Sequence, residues 1–205
     1  MPLVSARLAS DINIRLVANG NVGVNTMNFA TAVATGVTLT FLGATFTTTD
    51  SGQGNLVGVG VGTGLTGISS GSMEQNLLVS YLSIFNRVGP TFEHMASAIA
   101  GAVVTELKLV SLASNHQPCW SGTGIIDPGS ISVTEDELAS NIEKSGPLFF
   151  GDDWPDTALA IARGISLEVV KASGKLTITG SPPPVPPGPV PFNGPNTIVP
   201  AGVIS

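Results

Sequence analysis

Met95-Ala96-Ser97-Ala98-Ile99-Ala100-Gly101-Ala102-Val103 is written three times in this chain, each time with small changes. The earlier copy is Phe29-Ala30-Thr31-Ala32-Val33-Ala34-Thr35-Gly36-Val37, and the later one is Thr157-Ala158-Leu159-Ala160-Ile161-Ala162-Arg163-Gly164-Ile165. Their first alanines, Ala30, Ala96 and Ala158, stand 66 and 62 positions apart. A glycine lies seven positions before each (Gly23, Gly89, Gly151), itself preceded by Val22, Val88 and Phe150. No insertion is needed across these stretches, which reads as a threefold internal repeat. Alanine is the best helix former, so each copy is expected to be a helix. The small residues form rows four apart: Ala30 and Ala34, Ala96 and Ala100, Ala158 and Ala162. Such rows let other backbones approach closely, so these six alanines are the expected helix-packing positions.

Working outward, each Ala-rich helix has a helix before it and a strand after it. Leu8, Ile12 and Leu16 recur at helical spacing over 5–17, and Asn19-Gly20-Asn21 stops that helix. Asn25 or Thr26 is the expected cap of the first Ala-rich helix, running to about Val37. The alternation over 38–49 then reads as a strand or a hairpin broken at Gly43. A glycine-rich stretch follows over 52–71. In the second unit Ser72-Met73-Glu74-Gln75 reads as a capping box. Leu77, Leu78, Tyr81, Leu82 and Phe85 form that helix's apolar face, and Thr91 is the expected cap of the next helix, which runs toward Val110. Residues 114–129 read as loop. The third unit has Thr134-Glu135-Asp136-Glu137 as a capping box, Asp153 as a cap with Pro155 near the first turn, a helix to about Val170 and a short strand over 175–179.

The glycine-rich arms repeat as well. Gly62-Thr63-Gly64 corresponds to Gly122-Thr123-Gly124, and Ile125-Ile126-Asp127-Pro128-Gly129 resembles Thr197-Ile198-Val199-Pro200-Ala201-Gly202. The expected fold is therefore α+β and helix-rich. It has three tandem pseudo-symmetric units of two helices plus a short strand or hairpin and a Gly/Pro-rich extended arm. The units span 1–71, 72–133 and 134–180, and a Pro-rich C-terminal arm spans 181–205. That arm is uncharged, yet Val185, Val190, Phe192, Ile198 and Val199 are too apolar for a free solvated tail. In polyproline form it reaches on the order of 70 Å, beyond the roughly 35 Å breadth of a compact chain of this length. It is expected to lie on a neighbouring subunit, with Phe192, Ile198 and Val199 as anchors.

Composition narrows the function. Charged residues are 11% of 205, against roughly 25% in ordinary soluble domains, and mean hydropathy is +0.37. So few charges point to a surface covered by other protein or by a membrane. The uncharged run 27–49 is long enough to span a bilayer, but its counterparts carry Glu106 and Lys108, then Arg163, Glu168 and Lys171. Equivalent units belong in one environment, so no membrane span is expected. The start of the chain has no basic stretch followed by an apolar core, so no signal peptide is expected. A net charge of −6 with no basic run argues against binding nucleic acid directly. A single cysteine, Cys119, excludes an intrachain disulfide framework.

No catalytic, cofactor or metal motif rises to the level of the repeat. Gly62-Thr63-Gly64-Leu65-Thr66-Gly67 matches the dinucleotide pattern literally. It lacks the helix that should open at once after it, and a backbone lying against a neighbour explains it better. His116 and Cys119 form a lone H-x-x-C pair, and His94 brings no second pair in sequence; zinc needs four ligands. The acidic clusters Glu135-Asp136-Glu137 and Asp152-Asp153-Trp154-Pro155-Asp156 lie at helix starts, where carboxylates meet the positive end of the helix dipole. The expectation is no enzyme and no cofactor.

The triple A-x-A-[V/I/L]-A helix, the Thr-rich strand and the G-x-G-T-G arm resemble small virion structural proteins of contractile-tailed, T4-like bacteriophages, cyanophages especially. The resemblance covers most of residues 22–180. It implies a head, neck or tail accessory component, assembled into the virion in the host cytoplasm, with copies of itself and other virion proteins as partners. It implies no catalytic residues. A cell-surface or virion-surface adhesion module is the alternative, which would bring a secretion signal or exposed aromatic sites. Replacing Cys119 by Ser together with His116 by Ala is expected to leave the melting temperature and the oligomeric state unchanged, as read by calorimetry and light scattering.

Overall fold

The computed structural model describes residues 5–21, 23–46, 49–53, 58–116, 121–126, 131–146, 153–171, 175–179 and 191–193. In chain order they form helices α1 (Ser5–Ala18) and α2 (Val24–Phe41), strands β1 (Thr45–Phe46), β2 (Thr49–Gln53), β3 (Gly58–Thr63) and β4 (Leu65–Thr66), then α3 (Ser70–Phe85) and α4 (Pro90–Leu107). Strands β5 (Ser111–His116) and β6 (Ser121–Ile126), helices α5 (Glu135–Ser145) and α6 (Trp154–Val169), and strands β7 (Lys175–Thr179) and β8 (Pro191–Asn193) complete the order. The chain is thus helix-rich α+β, and a helix pair followed by strand occurs three times along it. Helix α3 begins two residues before the boundary expected at 72.

The helices pack in a cycle. Each lies against its neighbour in sequence, from α1 on α2 through to α5 on α6, and α6 returns to α1. All six expected packing alanines, Ala30, Ala34, Ala96, Ala100, Ala158 and Ala162, are fully buried. The first helix of each pair covers them with larger side chains: Leu8, Ile12 and Leu16 on α1, Met73, Leu77 and Tyr81 on α3, Leu138 and Ile142 on α5. Contact is closest at two glycines. A Cβ on Gly36 would stand 2.8 Å from the Leu77 Cα, and one on Gly164 would stand 2.5 Å from the Ile12 Cγ1. These positions lie on the Ala-rich helices at their contacts with the next helix in the cycle.

Several local expectations are corrected. The first Ala-rich helix does not stop at Val37 but runs to Phe41, so residues 38–41 are helix, and the strands begin only at Thr45 and Thr49. The threonines of that run suit a strand by propensity, but Thr40 is held in the helix, while the buried Thr38 hydroxyl has no hydrogen-bond partner among the described residues. Thr40 Oγ1 donates to the Gly36 carbonyl at 3.0 Å and accepts from Asn76 Nδ2 at 3.0 Å. The cap of α2 is Gly23 rather than Asn25 or Thr26, and Thr26 Oγ1 instead donates to the Asn21 carbonyl. Helix α3 is capped by Ser69, whose Oγ accepts from the Ser72 N–H at 3.1 Å, so the box starting at Ser72 lies inside the helix. Gly89 precedes α4, and Pro90 takes its first position, where a missing N–H costs nothing. Thr134 and Asp153 do precede α5 and α6, though neither side chain makes a cap bond. Residues 114–129, expected as loop, contain the end of β5 and all of β6.

The arms form sheet. Strands β1 and β4 pair antiparallel, with the Thr45 and Thr66 hydroxyls 2.8 Å apart. The other six make one antiparallel sheet in the order β7-β6-β5-β3-β2-β8. Along β3, Gly60 is buried while Val59 and Val61 are 54% and 67% exposed, so glycine alternates onto the covered side. Among the described residues no helix is long and apolar enough to cross a membrane.

Two glycine substitutions should separate packing from propensity. Gly36→Ala is expected to destabilise by about 1–3 kcal/mol because its methyl meets the Leu77 backbone. A methyl placed on Gly101 of α4 would have nothing within 4 Å, so Gly101→Ala should stabilise by about 0.5–1 kcal/mol through helix propensity. Chemical denaturation of both variants reads the two signs.

Candidate functional site

Phe29, Met95 and Thr157 hold the same place in the three copies of the Ala-rich helix, and all three line one open cavity of ≈ 290 Å³. Leu16 near the end of α1, Asn21 between α1 and α2, and Asn25 and Thr26 from the start of α2 complete it. It lies where the N-terminal turns of α2, α4 and α6 converge. The lining is apolar or neutral. Thr26 Oγ1 is committed to the Asn21 carbonyl, and Thr157 Oγ1 to the Asp153 carbonyl at 3.0 Å. None of these lining side chains is titratable, so they offer neither a general base nor a nucleophile activated by one.

Beside it, Tyr81 is fully buried among Phe29, Phe85 and Phe92, with ring centroids 5.9, 6.1 and 4.4 Å away. Its hydroxyl has no hydrogen-bond partner among the described residues. Burial penalises the phenolate and pushes the Tyr81 pKa well above the usual tyrosine range.

A second constellation tightens the helix cycle. Thr40, Glu106 and Glu168 occupy equivalent places on α2, α4 and α6, and each contacts the first helix of the next pair. Thr40 meets Asn76 on α3, Asn141 Nδ2 on α5 donates to Glu106 Oε1 at 2.6 Å, and Glu168 Oε2 lies 3.6 Å from Arg7 Nε on α1. Glu168 is 1% exposed, and its Oε1 also accepts from Lys171 Nζ at 2.6 Å. A buried carboxylate is tolerated only when cations and donors surround it, which the Arg7 and Lys171 groups provide. Sequence reasoning missed these polar contacts. Their signal lies in the alignment of the copies, where 40, 106 and 168 are all polar inside an apolar helix.

The other singled-out residues are placed as follows. Glu135 pairs with Arg163 of α6, and Asp136 and Glu137 join it in the first turn of α5. Asp153 and Asp156 stand exposed at the start of α6, and Asp152 lies outside the described residues. His116 ends β5 and His94 is exposed on α4, while Cys119 lies outside the described residues. No three potential ligands cluster for a metal ion among the described residues. In the glycine motif, Gly64 adopts φ +73° and donates its N–H to the Val110 carbonyl at 2.7 Å, while Gly67, also at φ +73°, lies against the Gly43 carbonyl. Both turns are left-handed and touch backbone, which only glycine accommodates. Of the arm anchors, Phe192 belongs to β8, where its backbone pairs with Gly52 of the same chain. Ile198 and Val199 lie outside the described residues.

No protein-family model matches the chain, and neither the curated proteins nor the solved structures give a match.

Tyr81 is the only tyrosine, so its ionisation can be watched directly. Unfolded tyrosine ionises near pH 10.0 and the folded form higher, so stability should be intact below that pH and fall as pH rises above it. Phenolate absorbance should stay flat until the chain unfolds. Tyr81→Phe, which removes an unpaired buried hydroxyl, is expected to stabilise by about 1 kcal/mol and to abolish the tyrosine contribution to alkaline unfolding.

Proposed function

We propose that this chain is a structural assembly protein of a tailed-phage virion, an accessory or cement component of head, neck or tail. It acts through contacts with copies of itself and with other virion proteins, and catalyses nothing. Its three units are pseudo-symmetric, and the burial pattern of the Ala-rich helices supports that reading. Ala30, Ala96 and Ala158 are buried alike, as are Val33, Ile99 and Ile161, and Phe41, Leu107 and Val169.

The observation that carries the proposal is a surface poor in charge and rich in apolar side chains. Leu109 is 70% exposed, Val61 67%, Ile14 63% and Val79 61%, in a chain with only 11% charged residues. Single exposed apolar residues are ordinary, but with so little charge around them they favour coverage by protein partners. The phage assignment itself rests on the resemblance of the repeat helix, strand and arm to T4-like virion proteins.

Purified particles from the host that carries this gene should contain the chain in stoichiometric amount by quantitative mass spectrometry. The isolated protein should form a defined oligomer by mass photometry. A monomer absent from particles and found on the host cell surface would replace this reading with the adhesion module.

A further inference from the structure

Five strand ladders repeat at constant offsets, and their register sets Gly58 and Gly60, rather than the expected Gly62 and Gly64, on Gly122 and Gly124. Within hairpins, Thr49↔Val61 and Asp50↔Gly60 join β2 to β3, and Asn115↔Ile125 and His116↔Gly124 join β5 to β6. Moving the first strand by 66 and the second by 64 converts one set into the other. Between units, Gly58↔His116 and Gly60↔Ser114 join β3 to β5, while Gly122↔Ile178 and Gly124↔Leu176 join β6 to β7. Here the shifts are 64 and 62. The fifth ladder joins β8 to β2 through Ser51↔Asn193. It is the image of Ser121↔Thr179 when β6 is carried forward by 72 and β7 is carried back to the first unit. The shift of 72 is also the one that sets Ile126 on Ile198 and Pro128 on Pro200. For the third arm, register and sequence similarity therefore agree without having been fitted to each other.

Each unit's arm strand thus pairs with the first strand of the next unit, and the third returns to the first. Two of the three hairpins are formed among the described residues. The third would join β7 to the segment after β8, and those are the two ends of the sheet. We propose that the outer edge of β7 is the docking edge for residues 195–199 of the same chain. They run antiparallel to it, with Thr177 opposite Thr197 and Leu176 opposite Ile198, and complete a six-stranded barrel. The inference rests on the three-unit reading and is independent of the virion assignment.

Three features favour this occupant. The segment follows directly from β8, so no long loop has to be ordered. A free edge strand presents unpaired N–H and C=O groups; among the described residues nothing pairs with the outer edge of β7, and Lys175-Leu176-Thr177-Ile178-Thr179 has neither proline nor bulge to guard it. A barrel of only six strands has a narrow interior, and the glycines Gly58, Gly60, Gly62, Gly122 and Gly124 recur at alternate positions of β3 and β6, where the absence of side chains leaves room for it.

In a Cys119→Ser background, Thr177→Cys with Thr197→Cys should form an intrachain disulfide on mild oxidation. It would be read as a loss of two mass units in a monomer with faster non-reducing migration. Thr177→Cys with Asn196→Cys, one residue out of register, should oxidise at least tenfold more slowly. A covalent dimer would assign the edge to a second copy's arm and overturn the proposal, as would equal oxidation of both pairs. As a second readout, amides 175–179 should lose hydrogen-exchange protection when the full chain is truncated after Gly194; unchanged protection would also overturn it.

Discussion

Everything in this molecule depends on how closely the Ala-rich helices let their neighbours approach. Any side chain at position 36 or 164 would collide with the backbone or side chains of the facing helix, and the cycle of six could not stay tight. Small residues on α2, α4 and α6 let larger ones on α1, α3 and α5 fill the space between, so that large and small alternate as close packing demands. The division of labour is visible at Gly164, which receives Ile12 and Leu8, and at Gly36, which receives Leu77. Because α6 returns to α1, every helix of the described chain has a neighbour on both sides.

Polar contacts fix what apolar packing leaves degenerate. Alanine faces can slide past one another with little loss, since they interdigitate shallowly. The bonds from Thr40 to Asn76 and from Asn141 to Glu106, and the ion pair between Glu168 and Arg7, each tie one Ala-rich helix to the next pair. They sit near the C-terminal ends of α2, α4 and α6, whereas the aromatic group around Tyr81 lies toward the opposite ends. The strands then begin within a few residues of those clasps, so the sheet inherits its register from helices already held in place.

The helices were legible because their signal is written three times, and repetition outweighs the weakness of any single copy. The buried alanines, the helix preceding each, and the strand at 175–179 were all readable. What failed was local: Thr38, Leu39, Thr40 and Phe41 alternate like a strand, but Asn76 from a different unit holds Thr40 in the helix, and no window of sequence contains both residues. The strands around Ser121 and Ile126 were hidden for the reverse reason, since glycine-rich strands carry little propensity and are specified by their neighbours. The cavity at the helix starts was hidden too, although Phe29, Met95 and Thr157 are aligned by the repeat. Three unlike side chains at one position do not announce a common wall.

The contact between α6 and α1 also constrains how the chain comes into being. Ile12 leaves the ribosome early and must wait for Gly164, its partner in the last helix. At typical synthesis rates the intervening stretch of roughly 150 residues takes on the order of 10–30 s to appear. During that interval α1 has α2 to rest on but not yet α6. Until α6 is made, the apolar side of α1 that it covers in the finished fold stays open to other contacts.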